Sequence, residues 1–409
     1  MSDRATVVGT AEPFRAVGYP WRLYSGTGAL DHLRDEVARQ RARRAFVVCG
    51  QTIARRTPLL RRVRDGLGGL FAGAFDRMDK DSTFPAVVAG TAAAREAGAD
   101  LIIAVGGGSV IVGARAMAIF LAEKGDPYEL MTQYPEGQTP VSPKLMAPKL
   151  PIINVPTTPT SAMNRAGTGL KNDALDHRME FFDPKTRPVA LFWDAEALLT
   201  APLSLVRSTG TTTYTGSLHS VAGRGVNPLV DGDHLQAFRL ASRALPRAVA
   251  APDDPGPRIE LCAAAFLQNR AADDGGTREG RDPVASAAYA LATALHVRYE
   301  HVGQGEATSA VTPAAIRQHG AARGDGIQRM AEALGVAGRT PEAAAAAAAD
   351  ALAAAYRGIE MPSRVRDLGI PEAELPLLAA DTLKNFNANR GARPGDQVER
   401  MLALLRAAW

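Results

Sequence analysis

Cysteine is almost absent. The 409 residues hold two, Cys49 and Cys262, which excludes a disulfide framework and a cysteine-rich zinc module. No uninterrupted apolar run reaches the roughly 20 residues that a membrane span needs. The opening segment, MSDRATVVGTAEPFRAVGYP, lacks the apolar core of a signal peptide. Aromatics are only 6% of the chain, and none interleave with basic runs as a nucleic-acid stacking platform requires. Charge of one sign is scarce too: 47 basic against 43 acidic residues leave +4. The basic clusters ARQRARRAF (38–46) and ARRTPLLRRVR (54–64) read as solvated helix faces. These absences predict a cytoplasmic protein with no membrane and no nucleic-acid partner. What is present is globular: 46% hydrophobic and 22% charged, with length enough for two domains.

The first half alternates between strand-like and helix-like stretches. A helix-like segment (29–40) precedes AFVVCG (45–50), a buried strand. TPLLRRVRDGL reads as helix, FAGAFDRM as strand and TFPAVVAGTAAAREAGA as helix. LIIAVGGGS (101–109) is a strand ending in glycines, followed by the helix-like VIVGARAMAIFLAEK; IINVPTTPTS and PVALFWD (188–194) close this half. Continuous apolar strands alternating with helices predict a parallel sheet covered by helices. From about residue 201 onward the chain reads as helices alone, including the alanine run 341–359, since alanine loses little entropy in that state. The expected domains are 1–198, an α/β Rossmann-like domain, and 199–409, all-helical.

The stretch LIIAVGGGSVIVGARAMAIF joins a strand, a glycine turn and a helix. Such a junction offers backbone N–H groups and a helix N-terminus to an anion. Gly106, Gly107 and Gly108 permit close backbone approach, and Ser109 can cap the helix or donate to phosphate. Together with NVPTTPTSA, RPVALFWDAEAL and APLSLVRSTG, this stretch resembles the iron-containing (group III) alcohol dehydrogenases, of the dehydroquinate synthase-like superfamily. GTGALDHL near the start, NPLVD (227–231), QGEATSA (304–310) and DLGIPEAELPLLAADTLKN (367–385) extend the resemblance over nearly the whole chain. It implies a Rossmann-like domain carrying a nicotinamide dinucleotide, an all-α domain, and a substrate in the cleft between them.

By that resemblance, Gly106, Gly107, Gly108 and Ser109 hold the pyrophosphate, Thr157, Thr158 and Thr160 line the nucleotide cleft, and Arg178 falls near a family lysine close to the coenzyme. Where an NAD-selective member has Asp after its second strand, this chain has Gly50, followed by Gln51 and Thr52. Loss of that carboxylate removes repulsion against a 2′-phosphate, and Gln51, Thr52, Arg55 or Arg56 could contact it. NADP is therefore expected to be tolerated or preferred, with NAD the alternative.

The family's metal site takes one Asp and three His. The corresponding positions here are Thr212, Gly216, Tyr289 and Gln304, which supply neither the carboxylate nor the imidazole donors that a divalent ion requires. The Asp expected after the glycines is Val112, and Arg115 stands for the usual Lys. A displaced site from His219, His296 and His301 is conceivable but lacks a carboxylate. The expectation is no metal, with acid–base work left to His219, Tyr289, Tyr214 or His296, and with Thr212 and Gln304 orienting substrate. Each also has a plainer reading: a packed core aromatic for Tyr289, a satisfied polar side chain for His219 and His296, ordinary packing for Thr212 and Gln304. Asn164, Arg165 and Lys171 are candidate anion contacts or surface charge, and Cys49 reads as inert.

The expected activity is a metal-independent NAD(P)-dependent oxidoreductase that moves a hydride between an alcohol or carbonyl and nicotinamide. The superfamily adds a daptide-type branch that oxidises the C-terminal Thr of a ribosomal peptide, with decarboxylation, so a small molecule or a peptide is the expected substrate. A non-redox lyase, cyclase or isomerase on the same scaffold, and a catalytically silent binding partner, are the competing readings. The family suggests a homodimer or larger homo-oligomer.

Overall fold

The computed structural model describes residues 13–135, 140–175, 177–277, 283–383 and 394–409. Contacts divide the chain into two compact units, with the main break between Pro202 and Leu203. One unit is Tyr19–Pro202 with the returning segment Pro252–Cys262; the other is Leu203–Ala251 and Ala263–Trp409, joined by residues 13–18.

The α/β unit is built on eight strands: β1 (Arg22–Gly26), β2 (Ala45–Cys49), β3 (Phe71–Phe75), β4 (Leu101–Gly106), β5 (Ile152–Pro156), β6 (Gly167–Leu170), β7 (Met179–Phe182) and β8 (Ala190–Asp194). Six form one sheet in the order β1-β8-β5-β4-β2-β3, every pairing parallel. β6 and β7 form a separate antiparallel hairpin. Helices α1 (Leu33–Arg39), α2 (Gln51–Arg56), α3 (Leu59–Leu67), α4 (Phe84–Glu96), α5 (Gly108–Ala122), α6 (Pro127–Leu130) and α7 (Ala195–Leu199) accompany them.

The central strands β2, β4, β5 and β8 are buried along their whole length, which is why they read as unbroken apolar runs rather than alternating ones. Val47, Cys49, Ile103, Val105, Ile153, Val155 and Phe192 form one core with Leu33, Val37, Leu59, Val63 and Leu67 from α1 and α3. Strand alternation sends Ile102, Ala104 and Ile152 to the opposite face, where α5 packs on β4 and β5. Each such Val, Leu, Ile or Phe side chain contributes about 1.5–3 kcal/mol when taken fully out of water.

The order of strands sets a crevice. The chain runs outward from β2 to β3, then crosses back to place β4 on the other side of β2. Helices leaving the carboxyl ends of β2 and β4 thus diverge, the point where open α/β sheets bind ligands. Gly50 and Gly106–Gly108 lie at those two ends.

The other unit is helical throughout its described residues: α8 (Leu203–Ala222), α9 (Pro228–Ala250), the later part of α10 (Pro255–Asp273), α11 (Pro283–Arg298), α12 (Gln304–His319), α13 (Asp325–Ala333), α14 (Pro341–Gly358), α15 (Leu375–Thr382) and α16 (Pro394–Ala408). Asn227 starts α9 by accepting from Leu229 and Val230 N–H, and Thr340 starts α14 by accepting from Ala343 N–H. The alanine run is α14; its buried stripe is Ala344, Ala345, Ala348, Ala349, Leu352 and Tyr356, spaced at helical period. Among the described residues no helix is long and apolar enough to cross a membrane.

Candidate active site

The carboxyl ends of β4 and β5 lie side by side, with Gly106 opposite Pro156. The two loops that follow them therefore touch. Thr157 N–H donates to the Gly106 carbonyl at 3.1 Å. A Cβ on Gly107 would meet Thr158 Oγ1 at 3.4 Å, and one on Gly108 would meet Thr160 Oγ1 at 3.0 Å. Gly106 has φ +158°, and a Cβ there would strike Val110 at 2.7 Å. Gly106 is thus required by its own turn into α5 and Gly108 by the close fit of the threonine loop, while Gly107 meets that loop at ordinary contact distance. Thr158 is 1% exposed, and its hydroxyl has no hydrogen-bond partner among the described residues. A buried hydroxyl left this way is costly unless a ligand satisfies it.

Ser109, the second residue of α5, is fixed from the β3 side. Asp81 N–H donates to Ser109 Oγ at 3.0 Å, and Ser82 Oγ donates to the Ser109 carbonyl at 2.6 Å. Asp81 and Ser82 both carry left-handed φ, 65° and 52°, a strained pair held in place by these bonds. Arg178 joins this turn to the hairpin, bonding Asp81 Oδ1 at 3.5 Å and the Gly169 carbonyl at 3.4 Å. At the end of β2, Gly50 precedes α2 in extended conformation, with Gln51 and Thr52 exposed behind it. All the positions assigned to the coenzyme are thereby gathered at the carboxyl end of the sheet or tied to it.

Asp76 escaped sequence reading, and Arg115 was noted there only as standing in place of a lysine. Asp76 follows β3 and acts electrostatically on Cys49 at the end of β2; burial first, and then this carboxylate, push the Cys49 thiol up to about 12. Pairing of Val48 with Phe75 was the signal that could have found it. Arg115 is 1% exposed in the middle of α5. Its guanidinium donates to the carbonyls of Ala162 and Arg165, both at 2.9 Å, to Gly167, and weakly to Ile111 at 3.5 Å. Burial, and then Arg165 and Arg187, bring it down to about 9. An arginine amid apolar residues gives the sequence reader no such role.

In the helical unit the candidates fare differently. Tyr214 is buried on α8, stacked on Phe238 and edge-on to Tyr356; burial pushes its hydroxyl up to about 12. Thr212 turns back to the Thr209 carbonyl at 2.7 Å. Gly216 faces Gln268, which bonds the Thr213 carbonyl at 2.6 Å. His219, half-buried on α8, takes Arg323 Nη1 at 3.4 Å on Nδ1. A guanidinium only donates, so Nδ1 accepts and the neutral ring carries its hydrogen on Nε2. His296 Nδ1 contacts the Val302 carbonyl at 2.9 Å, and His301 Nε2 the Leu368 carbonyl at 3.1 Å. Tyr289 is 47% exposed, and Gln304 opens α12, exposed. No hydrogen bond joins Thr212, Tyr289 and Gln304 among the described residues.

The sequence pattern named iron-containing alcohol dehydrogenase matches residues 20–195, and that of the Fe-containing alcohol dehydrogenase family, C-terminal, matches 220–409. The chain belongs to this family. Lactaldehyde reductase of Escherichia coli (strain K12) is 26% identical to it over 389 residues, covering 94% of this chain and 97% of the relative. The NAD-dependent methanol dehydrogenase of Bacillus methanolicus is 23% identical, covering 88% and 91%. Among solved structures, the alcohol dehydrogenase from Oenococcus oeni superposes with a TM-score of 0.83 at 19% identity, over 97% of this chain and all of the other. As a member of the iron-containing alcohol dehydrogenase family, the protein is an oxidoreductase of alcohol dehydrogenase type.

The family implies a dinucleotide and an ion, and the residues fit them unequally. The glycine turn packed on Thr158, with its orphaned hydroxyl, suits a dinucleotide. For the ion the donor set fails. The positions that the resemblance assigns to it hold Thr212, Gly216, Tyr289 and Gln304, and among the described residues no group of three or more His, Cys, Asp or Glu is placed to hold a metal.

Proposed function

We propose that the protein is a nicotinamide-dependent oxidoreductase that interconverts an alcohol and a carbonyl compound without a metal ion. The observation that carries this is the contrast just drawn: in the α/β unit a glycine cradle with a buried hydroxyl that has no partner among the described residues, and in the helical unit four neutral residues at the positions the resemblance assigns to the ligands. The dinucleotide, when bound, supplies the hydride acceptor or donor. The residues that would hold it are Gly106, Gly107, Gly108, Ser109 and Thr158, through backbone N–H groups and the free hydroxyl. NADP is the preferred form, because Gly50 puts no carboxylate at the end of β2 to repel a 2′-phosphate.

Without an ion, the substrate oxygen needs a hydrogen-bond donor and a proton-transfer group from the chain. We assign this role to His219, whose tautomer is set by Arg323. Tyr214 is stacked within the core with its hydroxyl held protonated, and His296 is bonded to the loop after α11. The substrate is a small alcohol or aldehyde, or the end of a peptide, and the protein works as a homo-oligomer in the cytoplasm.

The test pairs coenzyme titration with metal analysis. Purified protein is titrated with NADPH and NADH by nicotinamide fluorescence, assayed for iron and zinc, and run against a panel of aldehydes with and without chelator. The expected outcome is tighter binding of NADPH, reversed in Gly50→Asp, and turnover indifferent to chelator, abolished in His219→Ala. Stoichiometric iron or zinc with chelator-sensitive turnover would sink the metal-free reading, and clearly tighter NADH the coenzyme preference.

A further inference from the structure

A fully buried cation with no carboxylate partner is an expensive thing for a fold to keep. Arg115 is one. Among the described residues its guanidinium bonds only carbonyl oxygens, and the other charges acting on it, Arg165 and Arg187, are also positive. Three of the four carbonyls belong to one segment, Ala162 to Gly167, which continues directly from the Thr157–Thr160 turn. The helix that carries Arg115 is α5, whose first turn is the glycine cradle.

We propose that Arg115 is a positioning residue that holds the coenzyme loop, residues 157–167, at a fixed distance from the glycine turn. The inference rests on the coenzyme reading given above. Three further bonds fasten the same region: Asn154 Nδ2 donates to the Met163 carbonyl at 2.8 Å, Thr186 Oγ1 donates to the Ala166 carbonyl at 3.1 Å, and Thr168 Oγ1 donates to the Val112 carbonyl at 2.7 Å on α5. Arg115 alone reaches both ends of the segment. A planar guanidinium can span carbonyls five residues apart in sequence, whereas a lysine ammonium is a single point donor. Arg115 lies seven residues beyond Gly108, about 10 Å along the helix axis. Its charge, shielded from solvent, adds to the positive end of α5 that faces a bound diphosphate.

Geometry and charge separate in two variants. Arg115→Lys keeps the charge and loses the fork; Arg115→Met loses both. Both are titrated with NADPH, and hydrogen exchange of 157–167 is followed with and without saturating NADPH. Leu59→Ala, in the core under α3 and remote from these loops in sequence, serves as a variant destabilised by packing alone. Arg115→Lys is expected to weaken NADPH binding on the order of tenfold, the scale of losing hydrogen bonds to a charged group, and Arg115→Met more. Exchange of the loop rises in both and falls again with NADPH. Leu59→Ala lowers the melting temperature with NADPH affinity unchanged. If the arginine variants fail to fold, Thr168→Val carries the test, with a smaller loss of affinity and the same rise in loop exchange. Wild-type affinity, within twofold, in Arg115→Lys and Arg115→Met, or in Thr168→Val where it stands in for them, overturns the positioning role and leaves the coenzyme reading intact. A wild-type protein that binds no nicotinamide dinucleotide overturns both.

Discussion

His234 shows what a single buried residue can do to the pH response. It sits 3% exposed on α9, and its Nδ1 is buried with no hydrogen-bond partner among the described residues. Burial lowers its pKa, and the opposing pull of Asp231 and Asp233 does not overcome this. The folded protein therefore keeps the ring neutral at a pH where the unfolded chain already takes up a proton. Stability from this site is fully present above the ordinary histidine value of about 6.5 and drains away as pH falls below it, by at most about 1.4 kcal/mol per pH unit. Urea unfolding at pH 7.5 and 5.5 checks this: wild type should lose more stability on acidification than His234→Gln. An equal loss in the two would show that His234 does not set that slope.

At the scale of elements, α8 and α12 meet without room for a side chain. A Cβ on Gly305 would overlap the backbone of Ser208, closer than real Cβ atoms come. Ser208 Oγ also accepts from Gly305 N–H at 3.0 Å and donates to Glu306 at 2.6 Å. Gly305→Ala must push the helices apart, at a cost of about 1–3 kcal/mol. Gly232 on α9 has open space around it, so Gly232→Ala should gain about 0.5–1 kcal/mol from helix propensity alone. Opposite shifts in urea midpoint are expected; a neutral Gly305→Ala would mean the crossing is looser than described. This contrast is invisible in the sequence, where both are glycines inside helices. The same limit governs the rest of the fold. β2, β4, β5 and β8 were legible because burial on both faces makes them apolar throughout. β1, an edge strand with the sequence RLYSG and no fully buried residue, was not. Nor were the glycine-containing strand β6 with its partner β7, or α2, whose six residues bury Ile53 alone. In the site, the glycine turn and threonine loop announce themselves by composition. Asp76 and Arg115 act through partners far along the chain, and only the sheet order brings those partners together.

On the scale of the whole molecule, the two units have different relations to ligands. The α/β unit holds the glycine cradle, the threonine loop and the Arg115 clamp, so a dinucleotide that binds it stabilises that unit by mass action. The helical unit holds the four positions that the resemblance assigns to the ion, and they offer a hydroxyl, a glycine, a phenol and an amide. A divalent ion should find nothing there to stabilise. With NADPH at about 100 times its dissociation constant, linkage gives about 2.7 kcal/mol. For a unit of this size that raises the melting temperature by about 5–10 °C. Differential scanning fluorimetry with NADPH, ferrous iron and zinc, added singly, compares the two classes of ligand on one preparation. The expected pattern is a concentration-dependent rise with NADPH and none with either metal. A rise with iron that saturates at one ion per chain would place a metal site among residues that the resemblance does not assign to it. It would return the acid–base role assigned to His219 to a bound ion.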